Sequence, residues 1–368
     1  MRRLRLPILA VFVALVALAS GRVRADDTFV WLRFEQYLEA LRQQAGIAGM
    51  SGLILKDGQV VWEHGFGFQD VDASIRATPD TPYHLAGLTQ SLAATLILQC
   101  VERGTLTLGT PAVAFAPALA PSTATVWQVL THTADVAPVS PGSAALPFKF
   151  DLAKYARLSL VVDACASQPY RVELASGLLD RLAMVDSVPG VEILSPGVLP
   201  EPPLGAPPMF SADTLARYAQ VVQRLAKPYK VGKNNKPAPS VYPDHALDAA
   251  AGLISTVRDL ARFDAALDEG VLIFPETFEL AITPPVTSDG RPLPHGLGWF
   301  VQTYNDQRIV WQFGNWPEAS SSMIIKVPSK RLTLILLANG DRLAAPFNLQ
   351  NGDVTTSLFA KLFLRLFL

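Results

Sequence analysis

The chain has 368 residues with 31 Lys+Arg, 32 Asp+Glu, 5 His and 2 Cys, and half of it is hydrophobic. That apolar share excludes a disordered protein, two cysteines cannot build a disulfide scaffold or a zinc-ribbon array, and a net charge of −1 gives no nucleic-acid footprint. The length is ample for a large core.

Residues 1–25 read as a secretory signal peptide: Arg2, Arg3 and Arg5, an apolar run from Ile8 to Ala19, then Val23-Arg24-Ala25 with small residues where a peptidase cuts. The run is short of the roughly 18–20 residues needed to span a bilayer. Its removal takes away five Arg and no acid, leaving a mildly acidic periplasmic or secreted chain with no membrane span. A disulfide is permitted in such a compartment. Cys100 and Cys165 both sit in apolar helical patterns, which suit two buried thiols as well as a bridge.

Phe29 to Ala45 has helical spacing, with Trp31, Phe34, Leu38 and Leu41 on one stripe. Met50–Leu55 and Gln59–Glu63 flank Asp57-Gly58, a strong hairpin signal. Leu92 to Val101 is an almost wholly apolar helix, buried on all sides, that stops at Gly104. Prolines then cluster at 111–147 and 189–208, with helical patterns at Tyr155–Ala166, Arg171–Met184 and Leu215–Leu225, the last capped by Ser211 or Asp213. Lys227 to Asp248 reads as a long polar loop. Thr256 and Asp259 have capping-box spacing and open a further helix. Strands are expected at Gly296–Val301, Ile309–Trp311, Ser322–Val327 and Leu332–Leu337, followed by a closing helix, Thr355–Leu368, too short to span a membrane. The pattern is α+β, with one sheet built from both chain ends.

Six segments in order resemble the serine beta-lactamase and penicillin-binding superfamily, particularly its class C and esterase-like branch. They are Gly46-Ile47-Ala48-Gly49, Gly65-Phe66-Gly67, the helix around Ala94–Gln99, Leu130-Thr131-His132-Thr133, Ala250–Phe263, and Gly296-Leu297-Gly298-Trp299. The resemblance implies a mixed antiparallel sheet covered by helices (26–107 and 251–368), an all-helical subdomain (108–250), and a site in the cleft between them.

It also implies an acyl-enzyme route. A Ser-x-x-Lys pair at the start of the buried helix supplies nucleophile and activating amine, on one helix face, with the helix N-terminus favouring the developing oxyanion. A Tyr-x-Asn motif and a Lys-Thr-Gly or His-x-Gly strand complete the family's site. Gly87 stands here in place of the serine and Gln90 in place of the lysine. Glycine has no oxygen to acylate, and glutamine does not titrate. Phe150 replaces the tyrosine, Leu152 the asparagine and Gln312 the Lys or His, while Gly314 is kept.

The chain therefore reads as a pseudoenzyme, a binding, regulatory or scaffold module of the cell envelope. Its expected partner is a small peptidoglycan-like or peptide ligand in the cleft, or a protein. The alternative is a serine hydrolase with a relocated nucleophile such as Ser91. Ser91 has no nearby base in the sequence, and a helix serine bonding back to its own helix is the plainer role; Thr89 is on the wrong face. His84 reads as an exposed strand-end residue, His132 as a hydrogen-bonded turn residue, and His64 as surface. His245 and His295 fall in loops without acids at ligand spacing, so neither metal nor cofactor is expected. Ser320–Ser322 fit either a polar site wall or a loop beside the site strand. Trp311, Phe313, Trp316, Phe150 and Tyr155 line the cleft in this reading, although core packing accounts for them equally well.

Overall fold

The computed structural model describes residues 25–136, 147–199 and 208–368; the expected signal peptide, apart from Ala25, lies outside them. In chain order the elements are α1 (Ala25–Ala45), β1 (Gly49–Lys56), β2 (Gln59–Asp70), β3 (Ile75–Arg76), β4 (Tyr83–His84), α2 (Thr89–Glu102), α3 (Val126–Leu130), α4 (Leu152–Ala156), α5 (Leu158–Cys165), α6 (Tyr170–Val172), β5 (Val188–Pro189), α7 (Ala212–Gln223), β6 (Tyr229–Val231), β7 (Pro237–Pro239), β8 (Leu253–Ser255), α8 (Val257–Asp268), α9 (Pro275–Ala281), β9 (Phe300–Tyr304), β10 (Gln307–Trp316), β11 (Ser320–Val327), β12 (Leu332–Ala338) and α10 (Leu358–Phe367).

Strands from the two chain ends form one seven-stranded antiparallel sheet in the order β3-β2-β1-β12-β11-β10-β9. Asp57 and Gly58 turn the first hairpin with φ of 52° and 75°, the double left-handed geometry that Asp-Gly tolerates. Every residue of β11 and β12 is buried, so these strands are covered on both faces. Period-two alternation divides them. Leu332, Leu334 and Leu336 join Phe34 and Leu38 of α1 and Phe359 and Phe363 of α10 in one core. Ile335 and Leu337 face the other way, into a core with Leu92, Leu96 and Ile97 of α2 and Leu260 and Phe263 of α8. The sheet is thus sandwiched between two helical layers. On the α8 side Lys326 of β11 is buried with its ammonium 2.5 Å from Asp264 and 2.8 Å from Asp268, the pairing a buried charge requires.

The caps expected at α7 and α8 form: Ser211 Oγ accepts the N–H of Thr214, and Thr256 Oγ1 accepts that of Asp259. One alternative left open is resolved and three expectations need correction. Cys100 and Cys165 are bridged, tying α2 to α5; their 65-residue separation hid an adjacency that only the packed helices create. Lys227–Asp248 is not wholly loop, because β6 and β7 pair across a turn in which Asn234 and Asn235 take positive φ, a conformation Asn accepts. The strand expected from Gly296 starts only at Phe300, since Gly298 has φ +83° and breaks the extended run. Ser320–Ser322 belong to β11 and are fully buried, rather than forming a loop. Among the described residues no helix is long and apolar enough to cross a membrane.

Candidate functional site

Gly87 lies in a 3-10 turn, Ala86–Leu88, that feeds directly into α2. Ala86 enters it at φ +47°, a conformation a non-glycine residue adopts only when its surroundings impose it. Strand β10 lies against this turn. A Cβ on Gly87 would sit 2.8 Å from the carbonyl oxygen of Phe313 and 3.5 Å from Cα of Gly314. A Cβ on Gly314 would sit 1.9 Å from the carbonyl oxygen of Leu85 and 2.9 Å from the nitrogen of Gly87. The close approach requires glycine at 314, and a side chain at position 87 would begin against the Phe313 carbonyl.

One turn along α2, Gln90 is fully buried. Its Oε1 is 3.0 Å from Nε2 of His132. The tautomer follows from the other ring nitrogen: the backbone N–H of Asp151 donates to His132 Nδ1 at 3.0 Å, so the proton is on Nε2 and is donated to Gln90. Gln90 must therefore present its oxygen to the ring, which leaves Nε2 of Gln90 without a partner among the described residues. The expectation that His132 is a bonded turn residue holds. It holds because φ +54° turns the chain there and the ring is stacked on Tyr155 at 5.1 Å and tilted against Phe150 at 4.5 Å.

Gln312 faces the same side of the sheet as Val310, toward α2, while Trp311 and Phe313 face the other core. Its Nε2 donates to the carbonyl of Gly298 at 3.1 Å and lies 3.4 Å from His295 Nε2; its Oε1 accepts the N–H of Phe313. His295 Nδ1 donates to the carbonyl of Gly296. Ser91 Oγ also donates to the carbonyl of Gly298, at 3.0 Å, and Tyr155 Oη donates to the carbonyl of Gln90 at 3.2 Å. Ser91 is thus structural, but it bonds across to the 298 loop rather than back along its own helix as expected.

The network is buried and uncharged. Burial drives His132 well below the ordinary histidine range and His295 down to about 3, and raises the Tyr155 phenol well above its usual value. At neutral pH none of these groups carries charge. Phe150 stacks on Phe313 at 5.5 Å and packs against Phe300, so it fills space as part of the core. Thr89 is buried, and its hydroxyl has no partner among the described residues.

Two histidine expectations fail. His84 is not exposed. It is 3% accessible and lies against Tyr242 and Trp316, with burial pushing it down to about 3; the strand end is covered by residues far away in sequence. His245 does have an acid at hand, with its Nε2 3.3 Å from Asp248 Oδ2. His64 is partly exposed, 3.7 Å from Glu35. The described residues hold no cluster of three or more His, Cys, Asp or Glu suited to a metal ion. Trp316 separates from the other aromatic residues singled out in the sequence and joins the His84, Tyr242 and His245 group instead.

An open cleft of about 520 Å³ remains beside the closed centre. Leu152, Ala153, Ala156, Arg157, Ser159 and Leu160 form one wall; His245, Asp248, Ala250, Ala251 and Trp316 form the other.

Comparison with known proteins agrees with this fold. The family described as Beta-lactamase matches residues 34–354. A putative penicillin-binding protein, PbpX, of Bacillus subtilis (strain 168) is 25% identical over 263 residues, 70% of this chain; the match spans 63% of that relative's length. Among solved structures, the octameric penicillin-binding protein homologue from Pyrococcus abyssi superposes with a TM-score of 0.69 at 20% identity, covering 90% of this chain and 77% of that one. A class C beta lactamase from Rhodobacter sphaeroides does so at 0.63 and 17% identity, covering 90% and 99%. The fold is the α+β beta-lactamase/transpeptidase-like fold, and the chain belongs to the beta-lactamase family.

Proposed function

We propose that this chain is an exported, non-acylating member of its family, a pseudoenzyme that works by binding a peptidoglycan-like or peptide ligand, or a protein partner, at the cell envelope. The observation that carries the reading is the position of the Phe313 carbonyl, 2.8 Å from where a side chain at Gly87 would begin. Substrate acylation needs a nucleophile beside donors for the oxyanion; glycine at position 87 supplies none, and the Phe313 carbonyl crowds the place where one would begin. The lysine's place is taken by Gln90, held by a neutral histidine. Export is supported by the leader-like sequence of residues 1–25 and by the Cys100–Cys165 bridge. Ser91, the alternative nucleophile, is fully buried and bonded to Gly298.

Labelling with a fluorescent penicillin tests the proposal: no stoichiometric adduct is expected over hours at neutral pH. A fluorophosphonate label that disappears in Ser91→Ala would establish the relocated-nucleophile alternative instead.

A further inference from the structure

We infer that the Cys100–Cys165 bridge is a site of reversible S-thiolation: a small thiol takes Cys165, and Cys100 leaves as a thiolate held by Arg103. The inference goes beyond the non-acylating reading and is independent of it, since neither Gly87 nor Gln90 takes part.

The two sulfurs are not equivalent. Cys100 is wholly buried in the last turn of α2, whereas Cys165 is the final residue of α5 and keeps 7% exposure. The helix ends at Ala166, and the chain continues into the exposed residues Ser167 and Gln168. A thiol arriving from solvent therefore reaches Cys165 first. Thiol–disulfide exchange depends on which sulfur is attacked and on how readily the other departs.

Departure is the harder half. Cys100 lies at the C-terminal end of α2, where the helix dipole disfavours an anion, and burial adds to the cost of a thiolate. Arg103 offsets both. Its Nη2 donates to Cys100 Sγ at 3.3 Å, the one side-chain hydrogen bond it makes among the described residues. The acid next to it in sequence, Glu102, is turned elsewhere and accepts the N–H of Phe274 at 2.6 Å. A guanidinium not committed to a carboxylate, and already donating to a bridge sulfur, stabilises the thiolate that forms on that sulfur.

The exchange balances. The incoming thiolate forms an S–S bond to Cys165, the Cys100–Cys165 bond breaks, and its electron pair stays on Cys100. The incoming sulfur is oxidised, Cys100 is reduced, and the thiol's proton passes to solvent. α5 is then held to α2 by apolar packing alone. Return attack by Cys100 on Cys165 expels the small thiol and restores the bridge.

Cysteamine is the probe, added to the native protein and quenched with iodoacetamide before peptide mapping. Cysteamine on Cys165 with carbamidomethyl on Cys100 is expected, in about tenfold excess over the reverse arrangement. Arg103→Gln should slow exchange about threefold, from a change of about one pKa unit in the departing thiol, and Arg103→Lys should restore the rate. Melting temperatures of both variants separate this from a loosened fold, which would speed exchange rather than slow it. Cysteamine found mainly on Cys100, no adduct on the native protein, or exchange in Arg103→Gln as fast as in the wild type would overturn the inference.

Discussion

If Gly87 and Gln90 stand where the family has its serine and lysine, as proposed, installing those two side chains should damage the protein rather than activate it. The perturbation is the double variant Gly87→Ser/Gln90→Lys. A serine Cβ would stand 2.8 Å from the Phe313 carbonyl oxygen, closer than real contacts allow. Because the obstacle is backbone of a central-sheet strand, relief requires β10 to move away from the turn. Overpacking of this kind costs about 1–3 kcal/mol. The lysine is worse placed. Gln90 is fully buried, and its neighbour His132 presents an N–H, because its other nitrogen is occupied by the Asp151 N–H. An ammonium has only donors, so donor would face donor. Switching the ring's tautomer would break the Asp151 bond. An uncompensated buried charge costs about 3–5 kcal/mol. The two sites are one helical turn apart and will not add simply, but the sum is several kcal/mol, equivalent to a fall in melting temperature on the order of 10 °C. Thermal unfolding by circular dichroism, with penicillin labelling of the same samples, is the assay. A double variant that melts with the wild type and is acylated would refute the claim that the centre has closed.

Acidification should destabilise the fold through its buried histidines. His84 and His295 are both driven from 6.5 to about 3 by burial, so below pH 6.5 the unfolded chain binds more protons than the native one, and stability falls as pH drops toward 3. Each such group contributes about 1.4 kcal/mol per pH unit in that window. Asp259, raised by burial from 3.8 to about 6, acts in the opposite sense between those values, so the histidine share is read from the difference: urea midpoints of His295→Gln should depend less on pH than those of the wild type, and identical slopes would contradict this. Opening the Cys100–Cys165 bridge with reductant, or Cys100→Ala/Cys165→Ala, should cost about 2–4 kcal/mol, visible as a lower urea midpoint; an unchanged midpoint would mean the bridge adds nothing. Gly298→Ala should be strongly destabilising, because φ is +83° and the new Cβ would lie 2.4 Å from that of Ala94; a melting temperature within a degree or so of wild type would show that the loop yields easily.

Local chemistry made the frame readable before any coordinates. Asp57-Gly58 between apolar runs, Thr256 ahead of Asp259 and the unbroken apolar face of α2 each carry their own explanation within a few residues. The proposed replacement of the family's serine and lysine rests on sequence alone, because Gly87 and Gln90 keep the spacing of the motif. What escaped were contacts between residues distant in sequence. His84 looked exposed because nothing near it in sequence covers it; Tyr242 and Trp316 do. Ser91 finds its acceptor 207 residues away. The closure itself depends on the Phe313 carbonyl, a main-chain atom whose residue type says nothing about where it points. His245 and Asp248 are the exception, a pair three residues apart whose contact is local in sequence.

The central claim is that no covalent chemistry remains at the former nucleophile position. Intact-mass spectrometry of the purified protein, after incubation with a penicillin and separately with a fluorophosphonate, tests it most directly. The account predicts an unchanged mass with both reagents. A single stoichiometric adduct with either would contradict it, and peptide mapping of that adduct would name the residue responsible.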